Sequence, residues 1–434
     1  MTTERANSLS AIPSLKIAYL LPQFPVKTQT FAASDIAALQ AEGHDVRVYT
    51  MKTGGGAANI AGVPVSRTTL RGMMRWPHVL WRMRRPVLSL AWNILRELDV
   101  APRTAIHALL CLPRSAEITA DIMVRQPDVV HLFWARHPGL VLALLKACKF
   151  PGIRSAFAGA YDLVADDFLV DLSLRSAGVA FSHSEANRDY VESKVACGTC
   201  VQIVHRGIPL PEIDLQAERD SHLWITASAL LPEKNVEAVL RAFVLARAEM
   251  PGLRLSVFGE GPDCARLERW CRVNDCAQSV SFKGHVSRDE LQRHMAKADA
   301  FLLLSKKPSE RLPNVIKEAL WAGCSVISSN SIGIREILHD DRFGFVVDPD
   351  DEDAVNQAVR RIVQRDRSED AARRAEAREL IEERFCATKN MRKYASAWAE
   401  LVQGSEEQSY PAATQSEGLN RGTGRSGQGL TNID

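Results

Sequence analysis

The sequence carries almost no net charge, with 54 Lys and Arg against 52 Asp and Glu and a balance of +2. A general attraction to nucleic acid or to a broadly acidic partner is thereby excluded, and any basic patch must be local. A long apolar run is also lacking. Arg96, Glu97, Asp99 and Arg103 interrupt the hydrophobic region after Pro86, so nothing approaches the roughly 18 residues of a membrane span. Met1 to Ser14 is polar, and the apolar stretch Ile17 to Leu21 is too short for a secretory core. Nine cysteines are scattered without a disulfide pattern, which favours a reduced, cytoplasmic protein. Cys197 and Cys200 have redox or metal-ligand spacing, yet no second pair accompanies them, and ordinary structural cysteines are expected. No internal repeat is evident, and no Asp-x-Asp pair is assigned to a strand end.

What is present is ordinary globular material. Apolar residues make up 46% of the 434 and charged ones 24%, enough for two cores and too long for one. Leu15–Leu21, Asp45–Thr50, Asp128–Phe133, Ile153–Phe157, Gly178–Ser182 and Val201–His205 read as strands, mostly continuous apolar runs of the kind that parallel sheets bury on both faces. Helical patterns such as Thr30–Glu42 and Glu185–Ala196 separate them. After a Pro-containing linker a second series begins, with strands at Trp224–Ser228, Leu253–Phe258, Val280–Phe282, Ala300–Leu304, Ser325–Ser328 and Phe345–Val347. Helices are expected between these at Val236–Met250, Asp263–Asn274, Arg288–Ala298 and Pro313–Trp321. Alternation of this kind gives an α/β chain with doubly wound sheets. The divisions expected are a flexible start at 1–14, a first domain at 15–207, a linker at 208–220, a second domain at 221–385, a helix at 386–403 and a disordered tail at 404–434.

The segment from Ser309 to Gly323 carries the chemistry. Pro313 suits the first position of a helix, leaving Glu310 in the preceding loop and Glu318 in the second turn. Amides at such a helix start can receive a diphosphate. A carboxylate accepts from two neighbouring hydroxyls, so Glu318 suits a ribose diol and Glu310 a transferred sugar. Two glutamates at this spacing are more often a solvated helix face. The surrounding motifs decide otherwise: Ala229-Leu230-Leu231-Pro232-Glu233-Lys234-Asn235, Gly259-Glu260-Gly261-Pro262, Gly284, Gly333-Ile334-Arg335-Glu336-Ile337, Gly344 and Asp348-Pro349-Asp350 follow in order. Upstream stand Phe24 to Phe31, Asp128-Val129-Val130-His131 and Ala160-Tyr161-Asp162.

Together these residues, over roughly 15 to 400, resemble the retaining glycosyltransferases of family 4, in the branch that builds exopolysaccharide and colanic acid. The resemblance implies a GT-B fold, two Rossmann-like doubly wound domains facing across a cleft, with the helix around Met391–Leu401 crossing back onto the first. It implies hexosyl transfer from a nucleotide-diphosphate donor to a glycan or lipid-linked acceptor in surface polysaccharide biosynthesis. Glu310 is then the catalytic residue, with Lys234, Gly259, Arg311, Leu312 and Glu318 binding the donor. Thr28, Thr30, His131 and Asp162 face the acceptor side. Neither cofactor nor metal is expected, since cations and dipoles hold the diphosphate. Three departures stand out. Ala229 replaces the arginine that usually accompanies the diphosphate lysine, Arg311 replaces a glycine, and Gly159 replaces a histidine that donates near the reacting sugar. Arg311 either returns the missing cation or marks a donor loop with altered backbone angles. A catalytically degenerate homologue that binds nucleotide, glycan or a partner is the alternative that Ala229 and Gly159 motivate.

Between Arg71 and Leu88, arginines alternate with Met, Trp and Leu. Such a segment either docks on an anionic membrane surface, giving a peripheral protein on the inner face of the plasma membrane, or packs on the sheet with an arginine-rich solvent side. Gly54-Gly55-Gly56 reads as a loop rather than a phosphate cradle. His183 between Ser182 and Ser184 is discounted as part of a nucleophile pair, because neighbours on a strand point to opposite faces.

Overall fold

In the computed structural model the chain forms two α/β lobes, each built round its own sheet. The structure describes residues 12–24, 30–52, 59–60, 62–66, 73–165, 167–212, 218–307 and 310–409. Thr28, Gly54–Gly56, Arg67 and Arg71 lie outside the described residues, as does everything beyond 409.

The first sheet contains β1 (Lys16–Leu21), β2 (Asp45–Thr50), β3 (Asn59–Ile60), β4 (Val63–Ser66), β5 (Val129–Phe133), β6 (Ile153–Ala158), β7 (Val179–Ser182) and β8 (Cys200–Ile203). Their order is β3-β4-β2-β1-β5-β6-β7-β8, parallel except for the short β3–β4 pair. The second contains β9 (Asp220–Ala227), β10 (Arg254–Phe258), β11 (Val280–Gly284), β12 (Ala298–Leu303), β13 (Ser325–Ser329) and β14 (Gly344–Val347), all parallel, in the order β11-β10-β9-β12-β13-β14. Every residue of β5, β12 and β13 is buried, which is why these strands read as unbroken apolar runs. Each sheet reverses direction beside its first strand, at β1/β5 and at β9/β12. At such switch points the loops diverge and leave a crevice at the carboxyl ends of the strands.

Several boundaries differ from the sequence expectation. The strand expected over Val201–His205 ends at Ile203, and β9 starts at Asp220 instead of Trp224. Pro313 precedes the helix Asn314–Ala322 without opening it, with φ −56° and ψ 128°. The last helix runs from Ala387 to Ser409, past the expected end at 403.

Of the Arg71–Leu88 segment, residues 76–82 and 84–88 fall on two helices. Trp76–Arg82 and Arg84–Leu95 each hold a proline in the first turn, where the missing N–H costs nothing. Val87, Leu90 and Ile94 turn inward onto Ala105, Ala108 and Leu112 of Pro102–Arg125. The outer side keeps Trp81 at 69%, Leu88 at 67% and Trp92 at 59% exposure. No helix among the described residues is long and apolar enough to cross a membrane.

The chain leaves the first lobe at Gly207 and re-enters it at Ala387. Ile208 N donates to Phe385 O at 2.7 Å, and Ala387 N donates to Ile208 O at 2.9 Å. A Cβ on Gly207 would lie 2.4 Å from the Ala387 backbone, so no side chain can stand at this crossing. The helix Ala387–Ser409 then buries Met391, Tyr394 and Trp398 in the first core beside Tyr19, Phe133 and Phe181.

Candidate active site

The second lobe's side of the cleft is assembled from loops at the carboxyl ends of β9, β10 and β12. Gly259, after β10, has φ +121°, and a Cβ there would meet Ser228 O at 1.8 Å. Gly261 faces Leu230 O just as tightly, at 2.2 Å. These glycines let the Ser228–Leu231 loop lie flat against β10, which fixes the short turn Pro232–Lys234 that follows. Gly259 is thus seen supporting the lysine loop.

Lys234 Nζ stands 2.7 Å from both carboxylate oxygens of Glu310, and each side chain is 14% exposed. The second carboxylate has its own cation: Arg288 Nη2 lies 2.6 Å from Glu318 Oε1. Burial raises the Glu318 carboxyl above its ordinary value, and Arg288 opposes that rise. Arg288, at the start of the helix Arg288–Lys297, escaped the sequence expectation because nothing in its spacing links it to Glu318. Asp348 and Asp350 form an Asp-x-Asp directly after β14, which corrects the expectation that no such pair ends a strand. Asp350 is ion-paired with Lys306, and Asp348 accepts from Asp350 N at 2.9 Å, so the pair forms a turn. Among the described residues no group of three His, Cys, Asp or Glu side chains is placed to hold a metal ion.

Arg311 points across the cleft. Its guanidinium donates to Asn187 Oδ1 of the first lobe. The residue with left-handed backbone is Leu312, at φ 48°, while Arg311 has no positive φ. A glycine is therefore not required at 311. A diphosphate would have to draw Arg311 away from Asn187.

The wall opposite is made by β6, β7 and the linker. A cavity of about 240 Å³ lies between Trp134, Phe157, His183 and Arg206 on that side and Glu310 and Arg311 on the other. Arg206 pairs with Asp35 at 2.8 Å and lies over the Phe133 ring at 4.6 Å. Lys317 is 0% exposed, donating to Arg206 O at 2.8 Å and Asn314 Oδ1 at 3.0 Å. Burial, helped by Arg206, lowers its ammonium to about 7. Glu336 closes the cleft at another point, accepting from Ser184 Oγ, from Glu185 N at 3.1 Å and bonding His205 Nε2 at 2.8 Å. Burial would raise its carboxyl, but these hydrogen bonds hold it down at about 2. Neither Lys317 nor Glu336 was assigned a role from sequence, and only an inward-facing lysine on an otherwise apolar helix face signalled the former.

On the acceptor side the structure corrects the sequence. His131 is 1% exposed in the core, bonded to Ser155 Oγ at 2.9 Å, which also accepts from Trp398 Nε1 at 3.0 Å. Burial, with Arg206, lowers its ring to about 3, so it is a neutral structural group beneath the cleft. Asp162 is 0% exposed and accepts from Gly159 N at 2.8 Å, tying the loop after β6 to the helix Ala160–Ala165. Thr30 opens the helix Thr30–Ala41. Cys197 and Cys200 are both free and exposed.

Comparison with known proteins agrees with this architecture. The sucrose-phosphate synthase of Thermosynechococcus elongatus superposes with a TM-score of 0.64 at 16% identity, covering 90% of this chain and 100% of that one. Anabaena Alr3699/HepE in complex with UDP superposes with a TM-score of 0.63 at 14% identity, covering 89% and 100%. The fold is GT-B. Residues 213–379 match the family model of glycosyl transferases group 1. Among curated relatives, the GDP-mannose-dependent alpha-(1-6)-phosphatidylinositol monomannoside mannosyltransferase of Mycobacterium tuberculosis is 33% identical over 150 residues. That match spans 33% of this chain and only 39% of the mycobacterial protein. The putative colanic acid biosynthesis glycosyltransferase WcaL of Salmonella typhimurium is 22% identical over 372 residues, 79% of this chain and 89% of that protein.

Proposed function

We propose that this chain is a group 1 glycosyl transferase, transferring a hexosyl group from a nucleotide-diphosphate sugar to a glycan or lipid-linked acceptor in surface polysaccharide biosynthesis, with retention of anomeric configuration and without a divalent cation. The observation that carries it is the meeting of Lys234, Glu310 and the amino end of the helix Asn314–Ala322 at one cleft between the two sheets. The lysine and helix-end amides stabilise the departing diphosphate as its charge develops. Glu310 accepts from hydroxyls of the transferred sugar, and Glu318, paired with Arg288, accepts from the ribose. Relatives whose names specify GDP-mannose or a diphospho-undecaprenol acceptor support this substrate class.

Purified protein is assayed against UDP-, GDP- and ADP-sugars in EDTA. Transfer or donor hydrolysis with the anomeric centre retained is expected. Nucleotide binding without turnover across the panel would make the chain a binding protein instead, and inversion or a metal requirement would overturn the finer assignments.

The exposed Trp81, Leu88 and Trp92, flanked by Arg82, Arg84, Arg85 and Arg96, are proposed to rest on an anionic membrane surface. Arg84 already lies 4.9 Å above the Trp81 ring. Aromatic bodies and arginine heads then divide between acyl chains and headgroups. A lipid-linked acceptor would be met at that surface.

A further inference from the structure

Among the polar side chains of the cleft that the mechanism above leaves unused is a histidine. His183 follows β7 at its carboxyl end and is 6% exposed. It lines the cavity shared with Glu310. Its Nδ1 is buried with no hydrogen-bond partner among the described residues. The flanking serines are both committed elsewhere, Ser182 Oγ to Ala158 O at 2.9 Å and Ser184 Oγ to Glu336. His183 therefore has no part in a serine nucleophile. Other polar side chains of the cavity each have a partner, Arg206 in Asp35, Arg311 in Asn187 and Asn314 in Lys317, although Arg311 Nε is, like His183 Nδ1, buried without one. A buried imidazole nitrogen without a partner is unfavourable until something entering the cavity supplies the hydrogen bond.

Strand register identifies what the ring is placed to do. β6 and β7 are parallel, and Ala158 is partnered with Ser182. One step further along both strands, Gly159 comes beside His183. Adjacent parallel strands lie about 4.8 Å apart, and side chains at matched positions leave the sheet on the same face. Gly159 is the position that offers no side chain to the reacting sugar, and its nearest foreign atoms are the ring carbons of Phe157, at 3.0 and 3.4 Å from a Cβ placed there. His183 lies 5.8 Å from that same ring, centroid to centroid.

We propose that His183 hydrogen-bonds a hydroxyl of the donor's transferred sugar, doing from β7 what the side chain missing at Gly159 would do from β6. Burial, followed by the cations of Lys317, Arg206 and Arg311, lowers its ring to about 3. The imidazole is thus neutral at working pH and offers one N–H and one lone pair, suited to a sugar hydroxyl and not to a phosphate. This assignment rests on the donor-site reading above, and it touches the sugar alone, with no contact to the nucleotide.

The test measures what the sugar adds to binding. UDP and UDP-glucose, and GDP and GDP-mannose, are titrated calorimetrically into the wild-type chain, His183→Ala, His183→Gln and the double variant His183→Ala/Gly159→His. Expected are diphosphate affinities within about twofold across all four proteins and a tenfold or larger loss of the sugar-dependent increment in His183→Ala. His183→Gln, which keeps a donor and an acceptor, retains part of the increment, and the double variant recovers part of it. An unchanged increment in His183→Ala, an equal loss of diphosphate and sugar-nucleotide binding, or no increment in the wild type overturns the proposal. Should the double variant fail to fold around Phe157, His183→Gln still decides. Because the increments are read on the resting protein, absence of turnover counts against glycosyl transfer and not against this contact.

Discussion

Lys234 and Glu310, which stand 76 residues apart in sequence, hold one another through both carboxylate oxygens at 2.7 Å. The ion pair occupies the place where a diphosphate would claim the lysine and a sugar the carboxylate. Donor binding must exchange an internal pair for two external contacts. Glu310→Gln frees the lysine without changing shape, and a partly buried pair of this kind competes by about 1 kcal/mol. Affinity for UDP or GDP should rise several-fold in the variant, while transfer falls about 100-fold or more, or about 2.7 kcal/mol in the barrier. Calorimetry and initial rates read the two effects separately. Weaker diphosphate binding by the variant would show that the lysine and the nucleotide do not meet.

Arg288 is expected to act through Glu318. Burial raises the Glu318 carboxyl and the guanidinium resists that rise. In Arg288→Met the carboxylate is protonated at higher pH than in the wild type, and its acceptor strength toward the ribose falls as pH is lowered. As pH is lowered, the donor KM of the variant should therefore begin to climb at a higher pH than that of the wild type. Parallel profiles would separate Arg288 from ribose binding.

Lys317 makes a prediction about stability. Its ammonium sits at about 7 in the folded chain against an ordinary 10.5. Between those values the unfolded chain binds a proton that the folded chain does not, so stability rises with pH, at most by about 1.4 kcal/mol per unit for this group. Lys317→Met removes that slope. Urea unfolding at pH 7, 8 and 9 should show the difference between wild type and variant growing in favour of the wild type.

These cases mark what was legible in the sequence. Continuous apolar strands such as β5 and β12 announced the parallel sheets, and an ordered set of glycines, a lysine and two glutamates pointed to loops that the structure gathers along one cleft. Spacing along one chain says nothing of which cation reaches which carboxylate, and so Arg288, Asn187 and the contact of Arg311 with it were out of reach. His131 misled because its motif sits on a strand whose two faces are both buried, and its ring turned to Ser155 and Trp398 instead of the cleft. Asp162 misled similarly, since a carboxylate after a strand end can serve the backbone as well as a ligand. His183 was discounted on a sound ground, the opposite facing of strand neighbours, which excludes a serine partner but not a substrate.

The exposed tryptophans carry the prediction on membranes. Flotation with vesicles containing phosphatidylglycerol should recover the wild-type chain and lose Trp81→Ala/Trp92→Ala. Charge reversal at Arg82, Arg84 and Arg85 should release the protein from anionic vesicles while leaving its weak affinity for neutral ones. Indifference to that reversal would favour a helix face that merely covers the sheet.

The crossing at Gly207 and Ala387 has one more consequence. Both connections between the lobes pass through a single spot, pinned by reciprocal hydrogen bonds of Ile208. Topologically the second lobe is an insertion whose entry and exit adjoin, so a rotation about that spot would stretch no peptide. Resistance to such a rotation comes from side-chain contacts between the lobes, among them Glu336 on Ser184 and His205, Lys317 on Arg206 O and Arg311 on Asn187. A ligand that drew Arg311 away would loosen one of these fasteners, and so would help set how far the jaws stand apart.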